Sequence, residues 1–276
     1  HDQLTAAFVS TTSKVTAASA VVTFSDTKNT EITAKELSDV GGAVASATVT
    51  NKIKVDGNHD QLTAAFVTTT SKVTAASAKV TFSDNTGATM TAKEISDIVG
   101  EVGSGTITNR VDITGNKTEM TAALVTNGTA ATIGTTGTTA TVSDLTSLSD
   151  ANAIASVNNV TASFTLGLSD TAGNLTKDAT TISDDMAAVT TDQSDIKITV
   201  SDAKDESVDA TRLSAIGGTT TGLVTVSNAI KVSGDHDQLT AAFVTTASKV
   251  TASDAVVTFN DDAGVTVTSK ELSDIG

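Results

Sequence analysis

Three histidines, each followed by an aspartate, are the residues of this chain whose types could do acid–base or metal chemistry. His1, His59 and His236 each open the same phrase, HDQLTAAFV. A histidine beside a carboxylate can act as a general acid or base where the local geometry allows it. His1 and His59 would lie two repeats apart, about 9.6 Å for stacked strands, which is too far for a shared metal ion. An enzyme needs a unique constellation, so the repetition predicts a structural phrase, a polar turn leading into a helix, and no catalytic residue.

Aspartates recur at a nearly constant spacing before a Thr-Ala-x-x-apolar phrase or its degenerate form. The candidates are Asp26, Asp56, Asp84, Asp202 and Asp261. If repeats stack, these carboxylates form a column, and neighbours about 5 Å apart repel by roughly 0.8 kcal/mol even in water. Ca²⁺ binds carboxylate and carbonyl oxygens. Two interpretations therefore stay open, namely calcium ligands or aspartates in solvated turns, and the five residues are our candidate calcium site.

The same short phrase divides the chain into repeats of about 29 residues, a period in the range of tandem-repeat proteins. Two versions of the repeat alternate, so that a larger unit of about 58 residues also recurs. The copies of the phrase begin at Thr5, Thr33, Thr63, Thr91, Thr121, Asp150, Asp178, Asp209, Thr240 and Thr268. The copies between about 121 and 208 are degenerate. We therefore interpret residues 1–276 as one continuous array.

Local patterns predict the elements of each repeat. Thr or Asp at the start of the phrase suits a helix N-cap, followed by a single helical turn. Apolar residues alternate with Lys or Thr in Ile53-Lys54-Val55 and Val80-Thr81-Phe82, the period expected of half-buried strands. Two short strands and a helical turn per repeat predict an all-β fold, a parallel β-solenoid of about ten coils. A leucine-rich-repeat-like horseshoe and a string of small β-sandwiches are the alternatives.

Composition excludes several classes of function. The chain has 17 Lys and Arg against 32 Asp and Glu, a net charge of −15 that repels phosphate backbones and argues against nucleic-acid binding. No stretch approaches the roughly 20 apolar residues that span a bilayer, so we expect no membrane insertion. Cysteine is absent, which removes disulfides and thiolate chemistry. Tyr and Trp are also absent, so a sugar-stacking enzyme groove is not expected.

The segments TAKELSDVGG and DATRLSAIGGTTTGLVTVSNAIKVSGDHDQLTAAFV resemble the tandem repeats of very large bacterial surface proteins, particularly those of cyanobacteria. The resemblance concerns the low-complexity composition and the repeat period, and it is weakest from about Asn127 to Thr176. It implies an extracellular or cell-surface location and a structural, adhesive or filament-forming role, and it carries over no catalytic residue. Residues 236–276 match residues 1–41 at 28 of 41 positions, so we expect an excerpt of a longer array.

These observations predict an extracellular structural repeat protein that forms a rod or filament for cell-surface architecture or adhesion. Self-association is the expected partnership. The alternative is a module that binds calcium, a surface glycan or a crystalline surface along one face. Thr48-Val49-Thr50 and Thr106-Ile107-Thr108 favour a threonine-lined surface, although Lys14, Lys72 and Lys249 interrupt it.

Overall fold

The computed structural model describes residues 1–12, 15–70, 73–247 and 250–276. The chain forms two compact units. Unit 1 comprises His1–Thr141 and Val157–Thr161, and unit 2 comprises Val142–Ser156 and Ala162–Gly276.

Short helices and short strands alternate along the whole chain. The helices of the described residues are Asp2–Phe8 (α1), Ala34–Ala43 (α2), His59–Leu62 (α3), Ala92–Glu101 (α4), Lys117–Leu124 (α5), Leu148–Ala155 (α6), Ala172–Leu175 (α7), Asp184–Asp192 (α8), Ala210–Thr219 (α9), His236–Phe243 (α10) and Ser269–Ile275 (α11). A π-helical turn, Thr63–Val67, continues α3.

The strands are equally short. They are Ala17–Phe24 (β1), Glu31–Thr33 (β2), Val44–Val49 (β3), Lys54–Gly57 (β4), Val73–Phe82 (β5), Thr89–Thr91 (β6), Val102–Ile107 (β7), Asp112–Gly115 (β8), Thr132–Ile133 (β9), Thr138–Val142 (β10), Val160–Phe164 (β11), Leu168–Asp170 (β12), Ile198–Val200 (β13), Ser207–Asp209 (β14), Val224–Val226 (β15), Lys231–Gly234 (β16), Val250–Thr251 (β17) and Val256–Phe259 (β18).

Strands of successive repeats pair in parallel within each unit. In unit 1, β1, β3, β5, β7 and β9 pair in that order, and β2 and β4 lead to the second half of β5. In unit 2, β12, β13, β15 and β17 form one sheet, and β14, β16 and β18 form another. Val55 pairs with Val80 in unit 1, and Val232 pairs with Val257 in unit 2. Each internal strand thereby takes its backbone partners from the repeats before and after it.

The predicted all-β solenoid is wrong, because the fold is mixed α/β. Helices connect the parallel strands and account for 33% of the chain. The single helical turn expected in each repeat underestimates elements such as α2 and α4, which have ten residues each. In α2 the residues Ala34, Leu37, Val40 and Gly41 are buried, at the three- and four-residue spacing of one helix face. The prediction failed because it weighed the strand pattern and overlooked this helical face.

Capping boxes start the helices of one repeat version. The Oγ1 atom of Thr33 accepts a hydrogen bond from the backbone N–H of Glu36 at 3.2 Å, and the Glu36 carboxylate accepts one from the N–H of Thr33 at 2.9 Å. Thr91 and Thr268 repeat this arrangement. The reciprocal bonds satisfy donors that a helix start leaves without partners. The predicted threonine N-caps are therefore present in this version.

In the HDQLTAAF version the predicted threonine cap is wrong. The helix begins one turn earlier, so Thr240 lies inside α10, whose N-cap is Asp235. Asp235 and Gln238 form the capping box there, and Asn58 and Gln61 do so for α3. A cap with a Gln three residues later competes better for the helix start than a threonine within the same run.

Glycines that end certain strands touch the helix start of the preceding repeat. A methyl group placed on Gly57 would lie 2.7 Å from the Cβ of Ala34, and one on Gly234 would lie 2.8 Å from the Cβ of Ala210. Such distances are shorter than non-bonded carbon atoms tolerate. Successive repeats approach this closely only because both positions are small.

We predict that Gly57→Ala destabilises the protein by about 1–3 kcal/mol, because the new methyl group overlaps a backbone-anchored neighbour. Gly42→Ala is the matched control, since Gly42 lies exposed within α2 and a methyl group there meets nothing within 4 Å. That change should stabilise the protein by up to about 1 kcal/mol, because glycine weakens helices. Chemical denaturation measures the change in the free energy of unfolding for both variants. Destabilisation of both variants, or stabilisation of both, would contradict the argument that Gly57 lies too close to Ala34 for a side chain.

Candidate functional site

Each of the three histidines is hydrogen-bonded to an aspartate of the next repeat. The Nδ1 atom lies 2.5 Å from Oδ1 of Asp84 at His59 and 2.5 Å from Oδ1 of Asp261 at His236. At His1 the corresponding distance to Asp26 is 2.8 Å. The His59 side chain is 20% exposed and that of Asp84 only 4%. The histidine–aspartate pair is therefore a repeated contact between successive repeats, enclosed on the aspartate side.

The same carboxylates also receive a backbone N–H at the start of a helix. His59 is the first residue of α3, and its N–H donates to Oδ2 of Asp84 at 3.0 Å. His236 begins α10, and its N–H lies 3.2 Å from both oxygens of Asp261. A carboxylate at this place satisfies an orphan donor and is favoured by the positive end of the helix dipole.

Two repeats without a histidine keep the carboxylate contact. In unit 2 the N–H of Ala172, at the start of α7, donates to Oδ2 of Asp202 at 2.7 Å. The N–H of Leu148, at the start of α6, donates to Oδ2 of Asp170 at 3.1 Å. The carboxylate contact is thus present at two helix starts that have no histidine, and the imidazole is an addition in three further copies.

Asparagines of the following repeat donate hydrogen bonds to the backbone carbonyls of the same aspartates. The Nδ2 atom of Asn51 donates to the backbone carbonyl of Asp26 at 2.8 Å, and that of Asn109 donates to the carbonyl of Asp84 at 2.6 Å. Asn228 makes the same contact with Asp202 at 2.8 Å. Each of these aspartates therefore connects a helix start in the preceding repeat with an asparagine in the following one.

The structure does not bring the five candidate calcium ligands together. Asp56 lies exposed on β4, paired in register with Thr33 and Thr81. Asp84 and Asp202 are buried and already accept hydrogen bonds from the preceding repeat. Asp26 and Asp261 each accept bonds from a histidine in the same way. Calcium binding stays a prediction, and an ion at the latter four carboxylates would compete with these donors.

Threonines lie beside one another on neighbouring strands, as a threonine-lined surface would require. Thr81, Thr106 and Thr132 align in unit 1, and Thr199, Thr225 and Thr251 align in unit 2. The hydroxyls of Thr50 and Thr108 instead donate to the carbonyls of Phe24 and Phe82 at 3.3 and 3.1 Å. The second threonine of each Thr-x-Thr pair is therefore engaged in backbone contacts. Lys14, Lys72 and Lys249 lie outside the described residues.

The pKa values of two histidines follow from these contacts. Partial burial lowers the pKa of His59, but the hydrogen bond and charge of Asp84 outweigh burial and raise it above its ordinary value. The hydrogen bond to Asp261 raises the pKa of His236. The reciprocal bond from His236 lowers the pKa of Asp261. The folded protein therefore favours an imidazolium next to a carboxylate at these contacts.

Sequence reasoning missed both the histidine–aspartate pairing and a glutamate on the outer side of the histidine. Ligand atoms of His1, Asp2 and Glu36 lie within 4.8 Å of one another, the one histidine–carboxylate cluster of metal-binding size among the described residues. The sequence contains a pattern that could have revealed both contacts. Every HDQL phrase is followed at a constant spacing by a Phe-x-Asp phrase, whose aspartate contacts the histidine. A Lys-Glu-Leu or Lys-Glu-Ile phrase comes next, and its glutamate also has a constant spacing from the histidine.

No helix of the described residues is long and apolar enough to span a membrane. Comparison with known proteins gave no similarity: no protein-family model, curated protein or solved structure matches the chain.

We predict that Asp84→Ala lowers the free energy of unfolding by about 1–3 kcal/mol, because it leaves a ring N–H and a helix-start N–H of His59 without an acceptor. Asp56→Ala is the matched control, since the Asp56 side chain is exposed, and it should change stability by less than about 0.5 kcal/mol. Equal effects of the two changes in urea denaturation would contradict the structural role of the inter-repeat carboxylate.

We also predict that stability falls as the pH rises above about 6.5. The raised pKa values mean that folded His59 and His236 hold a proton more tightly than the unfolded chain, so their contribution is complete below that pH and is lost as the pH passes through the raised values. Urea denaturation in EDTA from pH 5.5 to 8.5 measures this slope, which should flatten in the double variant His59→Gln and His236→Gln.

Lys93→Gln is the control for that experiment, because it removes an exposed ion pair with Asp97 whose lysine does not titrate in this range. Its effect should be the same at every pH. A wild-type slope that survives the double histidine substitution would contradict the assignment.

Proposed function

We propose that the chain is a structural repeat segment of a cell-surface protein, and that it builds an adhesive or filamentous array by association with further repeats. The observation that carries this proposal is that the same phrases are buried where repeats flank them on both sides and are more exposed in the first and last of the described repeats. The resemblance to bacterial surface repeats supports the location.

The phrase HDQLTAAFV gives the first comparison. Its second copy buries Leu62 completely and leaves Phe66 only 6% exposed. In the first copy the equivalent residues, Leu4 and Phe8, are half-buried, and α1 has no buried residue. Sequence is constant between these copies, so the difference in burial comes from their surroundings: α1 packs against α2, whereas the turn that continues α3 packs against both α2 and α4.

The phrase Lys-Glu-Leu gives the same comparison in the last repeat. Leu37 of α2 and Ile95 of α4 are fully buried, whereas the equivalent Leu272 of α11 is 46% exposed. The inward residues of β18, Val257 and Phe259, are half-buried. This apolar face has the composition of an internal repeat junction, which indicates that another repeat is its natural partner.

The outer strands at these repeats have a strand partner on one side only. Among the described residues β1 pairs only with β3, and β18 only with β16, whereas β5 has partners on both sides. A parallel edge accepts a further strand readily. Contacts between two unlike edges do not close on themselves, so they extend into fibres.

Sedimentation of the purified chain over a range of concentrations tests the proposal. We expect oligomers that grow with concentration and appear as thin fibres in electron micrographs. Leu272→Lys should reduce this association at least tenfold, because it places a charge where an internal repeat buries an apolar side chain.

Leu166→Lys is the matched control, because Leu166 is 56% exposed and lies between β11 and β12, away from the uncovered repeat. It should leave association unchanged. A chain that stays monomeric at all concentrations, or an equal loss in both variants, would overturn the proposal.

A further inference from the structure

Asn127 and Gly128 lie in an exposed turn between α5 and β9. Asn127 is the one asparagine of the sequence that is followed by glycine. Gly128 has a φ of +94°, and a methyl group placed on it would meet no atom of the described residues within 4 Å. The space around this peptide bond is therefore open.

The two groups that could react with each other in this turn are not held by hydrogen bonds. Within the described part of the chain, the N–H of Gly128 donates to no acceptor, and the side-chain amide of Asn127 makes no hydrogen bond. The turn is closed instead by the N–H groups of Thr129 and Ala130, which donate to the carbonyl of Thr126 at 3.2 and 2.9 Å. The amide of Asn127 can therefore turn toward the N–H that follows it.

Other asparagines have their side chains engaged. The Oδ1 atoms of Asn58 and Asn116 each accept a hydrogen bond from a helix-start N–H at 2.9 Å. Nδ2 groups donate to carbonyl or carboxylate oxygens at Asn51, Asn109, Asn152, Asn159, Asn174 and Asn228. An amide held in this way is not free to approach the next backbone nitrogen, and a side chain on the next residue crowds that approach as well.

We propose that Asn127 is a site of spontaneous deamidation, in which the backbone nitrogen of Gly128 displaces the side-chain amide as ammonia. Asparagine is a thermolabile residue, and glycine leaves the neighbouring main chain free to adopt the geometry of the reaction. The N–H of Gly128 gives its proton to a base in solution, and the nitrogen forms a bond to Cγ of Asn127. The Cγ–Nδ2 bond then breaks, and Nδ2 takes up a proton and leaves as ammonia.

Water completes the reaction by opening the cyclic imide that results. Attack at Cγ gives aspartate, whereas attack at the main-chain carbonyl carbon of residue 127 gives isoaspartate. One water molecule is consumed and one ammonia molecule is released, so the reaction requires no oxidant and no cofactor.

Both products change the turn. The new carboxylate follows the C-terminal end of α5, where the helix dipole disfavours a negative charge. In isoaspartate the main chain passes through Cγ, which lengthens the segment between the carbonyl of Thr126 and the N–H groups of Thr129 and Ala130 that bond to it. The reaction therefore marks the age of the chain at one turn and weakens the contacts that close it.

Incubation of the full chain at pH 8.5, followed by proteolytic digestion and mass spectrometry, tests this proposal. We expect aspartate and isoaspartate to accumulate at position 127, with a rate within about threefold of the rate in guanidinium chloride, because an exposed turn behaves much like the unfolded chain. The rate should rise with pH, since the backbone nitrogen must lose its proton. Asn127→Gln should abolish the product, because glutamine would have to close a larger ring.

Asp56–Gly57 is the matched control within the same chain, because it can close the same ring with loss of water. It lies on β4, which has strand partners on both sides, with Asp56 beside Thr33 and Thr81. Its isomerisation should be at least about tenfold slower in the folded chain than in guanidinium chloride, because the strand must open first. Circular dichroism verifies that the incubated chain and the variant are folded.

Two results would overturn the proposal. One is an Asn127 that stays intact in the folded chain while it converts in guanidinium chloride, which would show that the turn protects it. The other is equal protection of Asn127 and Asp56 by folding, which would trace the reaction to unfolded molecules.

Discussion

Parallel backbone pairing between successive repeats is the interaction on which the rest of this structure depends. A single repeat has only a few short strands and one or two helices, and it cannot cover its own apolar residues. Pairing supplies the missing cover, as the contrast between Leu62 and Leu4 shows. The core is therefore a property of the junctions between repeats.

Pairing also determines which polar residues meet. Val55 lies beside Val80, and with the same offset His59 lies beside Asp84. The carboxylate thus reaches a helix start in the preceding repeat, where it replaces water at an otherwise unsatisfied N–H. Small residues such as Gly57 and Ala34 hold the chains close enough for these bonds to form. The register of β4 on β5 thus accounts for both the strand pairing and the histidine–aspartate pair at this junction.

The sequence predicted some of these elements and missed others for physical reasons. The strands at Lys54–Gly57 and Val73–Phe82 lie where alternation indicated them, and Thr33 caps a helix as its residue type suggests. The helices were underestimated because strand alternation was weighed above the apolar face of Leu37 and Val40.

The histidine–aspartate pair was missed because strands of the two repeat versions pair at an offset shorter than the repeat itself, as in Ile32 with Val55 and Ala47 with Val73. That offset depends on the geometry of the loops between the strands, and the repeat length alone does not determine this geometry. Repetition alone therefore predicted which residues are equivalent, but not which residues touch.

Repetition changes what a polar cluster can do. A histidine placed by repeat geometry lies at a junction, where His59 and His236 connect the helix start of one repeat to a carboxylate of the next. At the start of α5 the equivalent position is Lys117. The imidazole therefore adds to a contact that the backbone N–H of the helix start already makes with the same carboxylate, and it makes that contact sensitive to pH where the histidine is present.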